Sequence, residues 1–179
     1  MPTADLSNTQ LRLLRSAIRD AIMVDGDNPG QGGTLGAEKS GSVARGRRMD
    51  VLRALIVEDS PRIALRLAEM LSLPGKVEVA AQAATEAEAI AACADTHFDL
   101  AIVDLQLASG TGFGVISRLR RESGAKRTIV IVLTNHAIPA LEAAALEAGA
   151  DVFLDKSRDF QKIQTVVEEL LAVKYPETS

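Results

Sequence analysis

Acidic, hydroxyl and basic side chains stand at the ends of five short apolar runs in this sequence. Glu58 and Asp59 follow the first run, Asp104 the third, Thr134 ends the fourth and Lys156 follows the fifth. If the runs are parallel strands, their carboxyl ends meet at one edge of a sheet, where open α/β sheets bind ligands. We therefore expect these side chains to form one site.

The chemistry of this set points to a metal ion and a phosphoryl group. Three carboxylates brought together repel one another and raise one another's pKa unless a cation joins them. An all-oxygen cluster with few protein ligands suits Mg²⁺. A lysine and a threonine add a positive charge and a hydroxyl, both suited to phosphoryl oxygens. Singly, each acid is better explained as a helix N-cap and the lysine as a solvated side chain. Their joint occurrence at strand ends favours the functional interpretation.

The apolar runs alternate with segments of helical periodicity from residue 51 onward. The predicted strands are 54–57, 77–80, 100–103, 129–133 and 152–154. Among the intervening helices, Thr85 is expected to cap the second, whose inward residues would be Ile90 and Ala94. Runs that are apolar at every position suit parallel strands covered on both faces. The sequence therefore predicts a doubly wound α/β domain with five parallel strands and helices on both faces.

The composition is that of an ordinary globular chain. Its 179 residues are 47% hydrophobic and carry a formal net charge of -4, which does not indicate nucleic acid or an anionic membrane as partner. Cys93 is the only cysteine, so an internal disulfide and a multi-cysteine metal site are excluded. No apolar stretch is long enough to cross a bilayer, and no secretory segment follows Met1. We therefore expect a cytoplasmic location.

The first 50 residues differ in texture from the rest. Apolar residues at helical spacing predict an amphipathic helix over 8–24, namely Leu11, Leu14, Ile18, Ala21 and Ile22. Seven of the thirteen glycines lie in 26–48, which indicates a flexible linker. We predict an N-terminal extension (1–50), a main domain (51–173) and a C-terminal tail (174–179). Met49 is an alternative start, and the helix, where present, is expected to be dispensable for phosphorylation and at most a docking segment.

Four segments resemble the signature blocks of response-regulator receiver domains of two-component signalling. They are LIVEDSP at 55–61, VDLQL at 103–107, VLTN at 132–135 and GADVFLDK at 149–156. The resemblance extends over about residues 51–173 and includes the spacings between the blocks. It implies a flavodoxin-like sheet with strand order 2-1-3-4-5. Because only residues 174–179 follow, we expect a stand-alone receiver without an output domain of its own.

The resemblance also implies roles for the residues at the strand ends. Asp104 would accept a phosphoryl group from a phosphohistidine. Asp59, Asp104 and the backbone carbonyl of Gln106 would hold Mg²⁺ directly, and Glu58 would act through a bound water. Lys156 would pair with Asp104 and then with the phosphoryl group. Apart from self-phosphorylation from small donors and self-dephosphorylation, no enzymatic activity is expected.

Thr134 and Phe153 would be the switch pair that moves once phosphate is bound. The sequence departs from the family's pattern at two positions, one directly after Lys156 and the other directly after Thr134. Ser157 stands where a proline, often after a cis peptide, usually follows the lysine, so we expect the loop that holds Lys156 to differ. Asn135 is bulkier than the small residue common after the switch threonine, and we expect it to narrow access to the site.

The implied partners are a sensor histidine kinase or a histidine phosphotransfer protein, together with an unspecified downstream protein. A homodimer through the fourth helix, fifth strand and fifth helix of the main domain is a further possibility, whereas no nucleic acid or membrane partner is expected. Two other functions stay open. One is a phosphohydrolase with an aspartyl nucleophile, although Gln106 stands where those enzymes place a general acid. The other is a receiver-like interaction module that takes no phosphate.

Overall fold

The computed structural model describes residues 6–22, 51–121 and 127–175. The strands are β1 (Leu52–Val57), β2 (Val77–Ala83), β3 (Leu100–Val103), β4 (Ile129–Thr134) and β5 (Val152–Asp155). The helices are α1 (Asn8–Ile22), α2 (Pro61–Leu71), α3 (Glu86–Asp95), α4 (Gly112–Arg121), α5 (Pro139–Ala148) and α6 (Lys162–Lys174). The linker predicted over 26–48, Met49 and the end of the predicted tail lie outside the described residues.

The strands form one parallel sheet in the order β2-β1-β3-β4-β5, which confirms the predicted flavodoxin-like topology. Every residue of β3 and β4 is buried, as expected for strands covered on both faces. The register pairs Val57 with Val103, and Thr134 with Asp155. The residues that follow these positions therefore lie together at the carboxyl edge of the sheet. Within the described parts of the chain, no helix is long and apolar enough to cross a bilayer.

Alternate residues of each strand point into two separate hydrophobic layers. One layer joins the sheet to α1, α2 and α6, and the other joins it to α3, α4 and α5. Neighbours on β4 show the alternation, because Ile131 belongs to the first layer and Val132 to the second. Both faces of the sheet are thus covered, and its carboxyl edge is left for polar side chains.

The inward face of α3 corrects one detail of the prediction. Ala89 and Cys93 are buried, whereas Ile90 is only half-buried and Ala94 is exposed. The predicted buried face is shifted by one residue. Alanines lie on several sides of this helix, so its hydrophobic periodicity distinguishes the buried face from the exposed face only weakly. The predicted cap is confirmed, since Thr85 Oγ1 accepts a hydrogen bond of 3.2 Å from the backbone N–H of Glu88.

Helix α1 packs against α6 and β4 rather than standing apart from the domain. Leu14 and Ile18 have no exposed surface and belong to the same hydrophobic layer as α6. Arg15 adds two hydrogen bonds of 2.7 Å to the carboxylate of Glu169. The sequence predicted the helix but not this packing, which gives α1 a structural contribution beyond that of a docking segment.

Replacing Leu14 by Ala is expected to lower the free energy of unfolding by about 2–5 kcal/mol, because it leaves a cavity beneath α1. The matched control is Leu13→Ala on the exposed side of the same helix, where 60% of the residue is accessible and the change should stay within about 0.5 kcal/mol. Urea denaturation of both variants measures the difference. Equal, small effects of the two substitutions would show that α1 does not stabilise the domain.

Candidate functional site

Backbone hydrogen bonds just beyond the strand ends set the places of the polar residues. The N–H of Glu58 donates to Ala83 at 2.9 Å, and the N–H of Asp104 donates to Val57 at the same distance. The N–H of Lys156 donates to the carbonyl of Thr134 at 3.0 Å. Each residue thus continues its strand by one ladder position, and the side chains project from a rigid edge.

A buried ion-pair cluster lies at the centre of this edge. Lys156 Nζ is 2.5 Å from Asp104 Oδ2 and 2.6 Å from Glu58 Oε2. The exposed fractions of the three side chains are only 2–7%. Because removal of one partner would leave a buried charge without compensation, these three residues are tightly interdependent.

Burial and pairing shift the pKa values of Glu58 and Lys156. Burial raises the pKa of Glu58 above its ordinary value, although the nearby Lys156 ammonium acts in the opposite direction. Burial alone would lower the pKa of Lys156. Hydrogen bonds and charges from Asp104 and Glu58 outweigh that effect, so the pKa of the amine is raised. The lysine is therefore a fixed positive charge at neutral pH.

Asp59 completes a group of three carboxylates with Glu58 and Asp104. One oxygen from each lies within 4.8 Å of the other two. Glu58 and Asp104 are buried, whereas Asp59 is exposed and opens the group toward solvent. An all-oxygen, partly open donor set of this kind fits Mg²⁺, which keeps several of its waters when bound to protein.

The Asp104 carboxylate is held on both sides. The backbone N–H of Gln106 donates to Oδ1 at 3.1 Å, while Lys156 contacts Oδ2. The beginning of α4 presses closely behind, because a Cβ at Gly112 would overlap the backbone of Asp104. Glycine is thus needed at position 112 to keep the phosphoacceptor candidate in place. This close approach had no signal in the sequence beyond the glycine itself.

The structure also places the two candidate switch residues. Thr134 is completely buried at the end of β4, between the strands that lead to Asp104 and Lys156. Its Oγ1 accepts a hydrogen bond of 3.3 Å from the N–H of His136. Phe153 lies on the same face of the neighbouring strand and is already 93% buried, with only 7% of the residue exposed. Little further burial of that ring is available.

Sequence reasoning brought together Glu58, Asp59, Asp104 and Lys156 correctly as neighbours, but it missed two contacts. It paired Lys156 with Asp104 alone, whereas Glu58 is an equal partner. It also passed over Asp155, which bonds to the loop around Lys156. An Asp two residues before a Ser is a common turn signal, and it was present in the sequence.

Comparison with known proteins places the chain in a family. The family model described as the response regulator receiver domain matches residues 54–168. The transcriptional regulatory protein TcrA of Mycobacterium tuberculosis is 33% identical over 109 residues, which make up 61% of this chain and 42% of TcrA. The response regulator protein PilR of Pseudomonas aeruginosa is 29% identical over 70% of this chain and 27% of PilR. The chain therefore spans less than half the length of either relative.

Among solved structures, the chemotaxis protein CheY4 of Vibrio cholerae superposes with a TM-score of 0.59 and 26% identity. The match covers 68% of this chain and 99% of the CheY4 chain. The family match begins after α1, so that helix lies outside the part of the chain shared with the family.

Proposed function

We propose that this chain, which belongs to the family of response regulator receiver domains, accepts a phosphoryl group from a phosphohistidine on the Asp104 carboxylate. The observation that carries the proposal is the contact of 2.5 Å between Asp104 Oδ2 and the buried Lys156 amine, beside two further carboxylates. A carboxylate oriented by a fixed cation at a strand end is suited to attack a phosphorus atom.

In the transfer, an Asp104 oxygen forms the new O–P bond as the N–P bond of the phosphohistidine breaks and the imidazole leaves. The N–H of Gln106 and the Lys156 amine keep the attacking carboxylate in one orientation. Lys156 then interacts with the incoming phosphoryl oxygens, whose negative charge it offsets. Water later hydrolyses the acyl phosphate, which releases inorganic phosphate and restores the Asp104 carboxylate.

Mg²⁺ belongs to this proposal as the cofactor. The proposed ligands are Asp59, Asp104 and the backbone carbonyl of Gln106, with Glu58 acting through a bound water. When bound, the ion neutralises charge on the carboxylates and on the phosphoryl oxygens. The direct role proposed for Asp59 is supported by its exposure, because it is the carboxylate of the three that faces solvent, whereas Glu58 is buried against Lys156.

We propose that the phosphorylated domain signals by binding another protein through α5, β5 and α6. Helix α5 buries only Ala145, while Leu146 on the helix and Ile138 at its N-cap are 42% and 56% exposed. An apolar helix surface of this kind suits a protein partner. Part of α6 is covered by α1, so the α5 side of this face is the more accessible. The proposed donors are a sensor histidine kinase or a histidine phosphotransfer protein.

Two other functions are distinguished by the same chemistry. A phosphohydrolase with an aspartyl nucleophile needs a general acid near that nucleophile, and the amide of Gln106 cannot exchange a proton at neutral pH. A receiver-like module that takes no phosphate has no need of a buried lysine between two carboxylates, since such a cluster is costly to bury. A small phosphodonor distinguishes the three functions. A phosphohydrolase would turn over an external substrate, a module that takes no phosphate would gain no label, and a receiver would become labelled.

Asp104→Asn should abolish labelling by a small acyl-phosphate donor in the presence of Mg²⁺, because the nucleophilic oxygen is lost. The wild type should gain an acid-stable, base-labile phosphate, measured by mass spectrometry of the intact protein. Asp95→Asn, at the exposed end of α3, is the control for loss of a carboxylate elsewhere. Normal labelling of the Asp104 variant would show that another residue is the acceptor.

Asp59→Asn is expected to abolish labelling through loss of Mg²⁺ binding, because the substitution removes a direct ligand. Glu58→Gln should weaken Mg²⁺ affinity only partly, by roughly tenfold, as is typical of groups that act through a water. Calorimetric titration of both variants with Mg²⁺ measures this ranking. Equal affinities of wild type and Asp59→Asn would contradict the assignment.

Thr134→Ala should still be phosphorylated but should respond less across α5, β5 and α6. Complete reversal of a two-state equilibrium needs about 5.5 kcal/mol. A hydroxyl bonded to a charged group contributes about 1.5–3 kcal/mol, so Thr134 supplies a large part of the bias. Amide chemical shifts with and without a phosphate mimic report the response.

The control for that experiment is Thr128→Ala. Thr128 is also buried beside β4, but at the opposite end, where its hydroxyl donates to the carbonyl of Phe98 at 2.8 Å. Its loss should leave the response to the mimic intact. Full-size shifts in Thr134→Ala would mean that the switch operates through other residues.

A further inference from the structure

The turn that follows β5 is closed by the side chain of Asp155. Its Oδ1 accepts hydrogen bonds from both the backbone N–H and the hydroxyl of Ser157, at 2.8 and 2.5 Å. Its Oδ2 accepts a further bond of 3.1 Å from Arg158 Nε. Lys156 therefore lies between two residues that are bonded directly to each other.

Asp159 closes the same turn from the other side. Its Oδ2 accepts a hydrogen bond of 3.1 Å from the N–H of Asp155, and its own N–H donates to the Asp155 carbonyl at 2.8 Å. Lys162 Nζ in turn contacts Asp159 Oδ1 at 2.8 Å, which ties the turn to the first residue of α6. The described residues contain no cis peptide bond, so the Lys156–Ser157 peptide is trans.

Three donors converge on the carboxylate of Asp155. Hydrogen bonds from Ser157, above all, lower the pKa of Asp155 from its ordinary value, with the charge of Arg158 acting in the same direction. The carboxylate is thus ionised at neutral pH and retains the charge that strengthens its bonds to Ser157.

We propose that Asp155 is a positioning residue that acts through Ser157 to fix the backbone around Lys156, and so places the lysine amine between Asp104 and Glu58. The inference rests on the proposed function, because its consequence is a faster transfer to Asp104. A long lysine side chain loses rotamer freedom when its amine is fixed in one place. A fixed backbone on both sides of Lys156 limits the displacement of its amine from the carboxylates of Asp104 and Glu58.

The two flanks of Lys156 are held by different bonds. On its N-terminal side, its own N–H is fixed to the carbonyl of Thr134. On its C-terminal side, Ser157 is held by its two bonds to the Asp155 carboxylate, and the backbone N–H groups of Arg158 and Asp159 donate to the Asp155 carbonyl. Because the ion pairs of Lys156 Nζ are with Asp104 and Glu58, the effect of Asp155 on the amine is indirect.

The test compares Asp155→Ala with Asp155→Asn in the full chain, using a small acyl-phosphate donor and Mg²⁺. In Asp155→Ala, the maximal labelling rate should fall between about tenfold and 100-fold, the range expected for a misplaced reacting group. The half-saturating concentrations of donor and Mg²⁺ should stay unchanged. Asp155→Asn keeps an oxygen that can accept both bonds from Ser157, so it should recover most of the rate.

Arg158→Ala is the matched control, because the Arg158 side chain is 73% exposed and bonds to the other carboxylate oxygen of Asp155. It should label at nearly the wild-type rate. Ser157→Ala, which removes one of the two bonds to Oδ1, should give an intermediate loss and serves if Asp155→Ala is unstable. A wild-type maximal rate in Asp155→Ala, or equal losses in the Ala and Asn variants, would overturn the inference. A wild-type protein that takes no label would overturn the proposed function and this inference with it.

Discussion

The buried ammonium of Lys156 between two carboxylates is the interaction on which the rest of the site depends. Its partners stand beyond β1 and β3, whereas Lys156 follows β5, two strands away from β3. Neighbouring strands are about 4.8 Å apart, so the lysine has to reach across the end of β4. A long side chain is needed for that distance, and the residue it crosses has to be small. Thr134 meets that requirement and adds a hydroxyl at the same edge.

Most of the fold could be predicted because each strand is apolar along its whole length and its ends are marked by polar residues. The parallel order then followed from alternation with helices and from the resemblance of four short blocks. Two features of packing escaped that logic. The buried face of α3 was misplaced, since alanines give little contrast between faces. The docking of α1 was also missed, because composition describes the segment before β1 but not the surface that Leu14 and Ile18 cover.

The site, like the fold, has features that the sequence predicts and features that it does not. The polar residues at strand ends were predictable as neighbours, because parallel strands bring their carboxyl ends to one edge. The resemblance implied the contact of Lys156 with Asp104 but not its contact with Glu58, which depends on side-chain reach. The hydrogen bonds from Ser157 to Asp155 are those of an ordinary turn. Such a turn has the same sequence pattern whether or not it contains a functional lysine, so its role could not be predicted.

Helix α1 has a position that links it to the proposed switch without touching the site. It contacts β4, which ends in Thr134, and α6, which begins shortly after Lys156. Any movement of those elements on phosphorylation would change the contacts of Leu14 and Ile18. Coupling of this kind is reciprocal, so docking of α1 would then change the phosphorylation equilibrium by the same factor. The family match excludes α1, and this coupling would accordingly be a property of the chain itself rather than of the family.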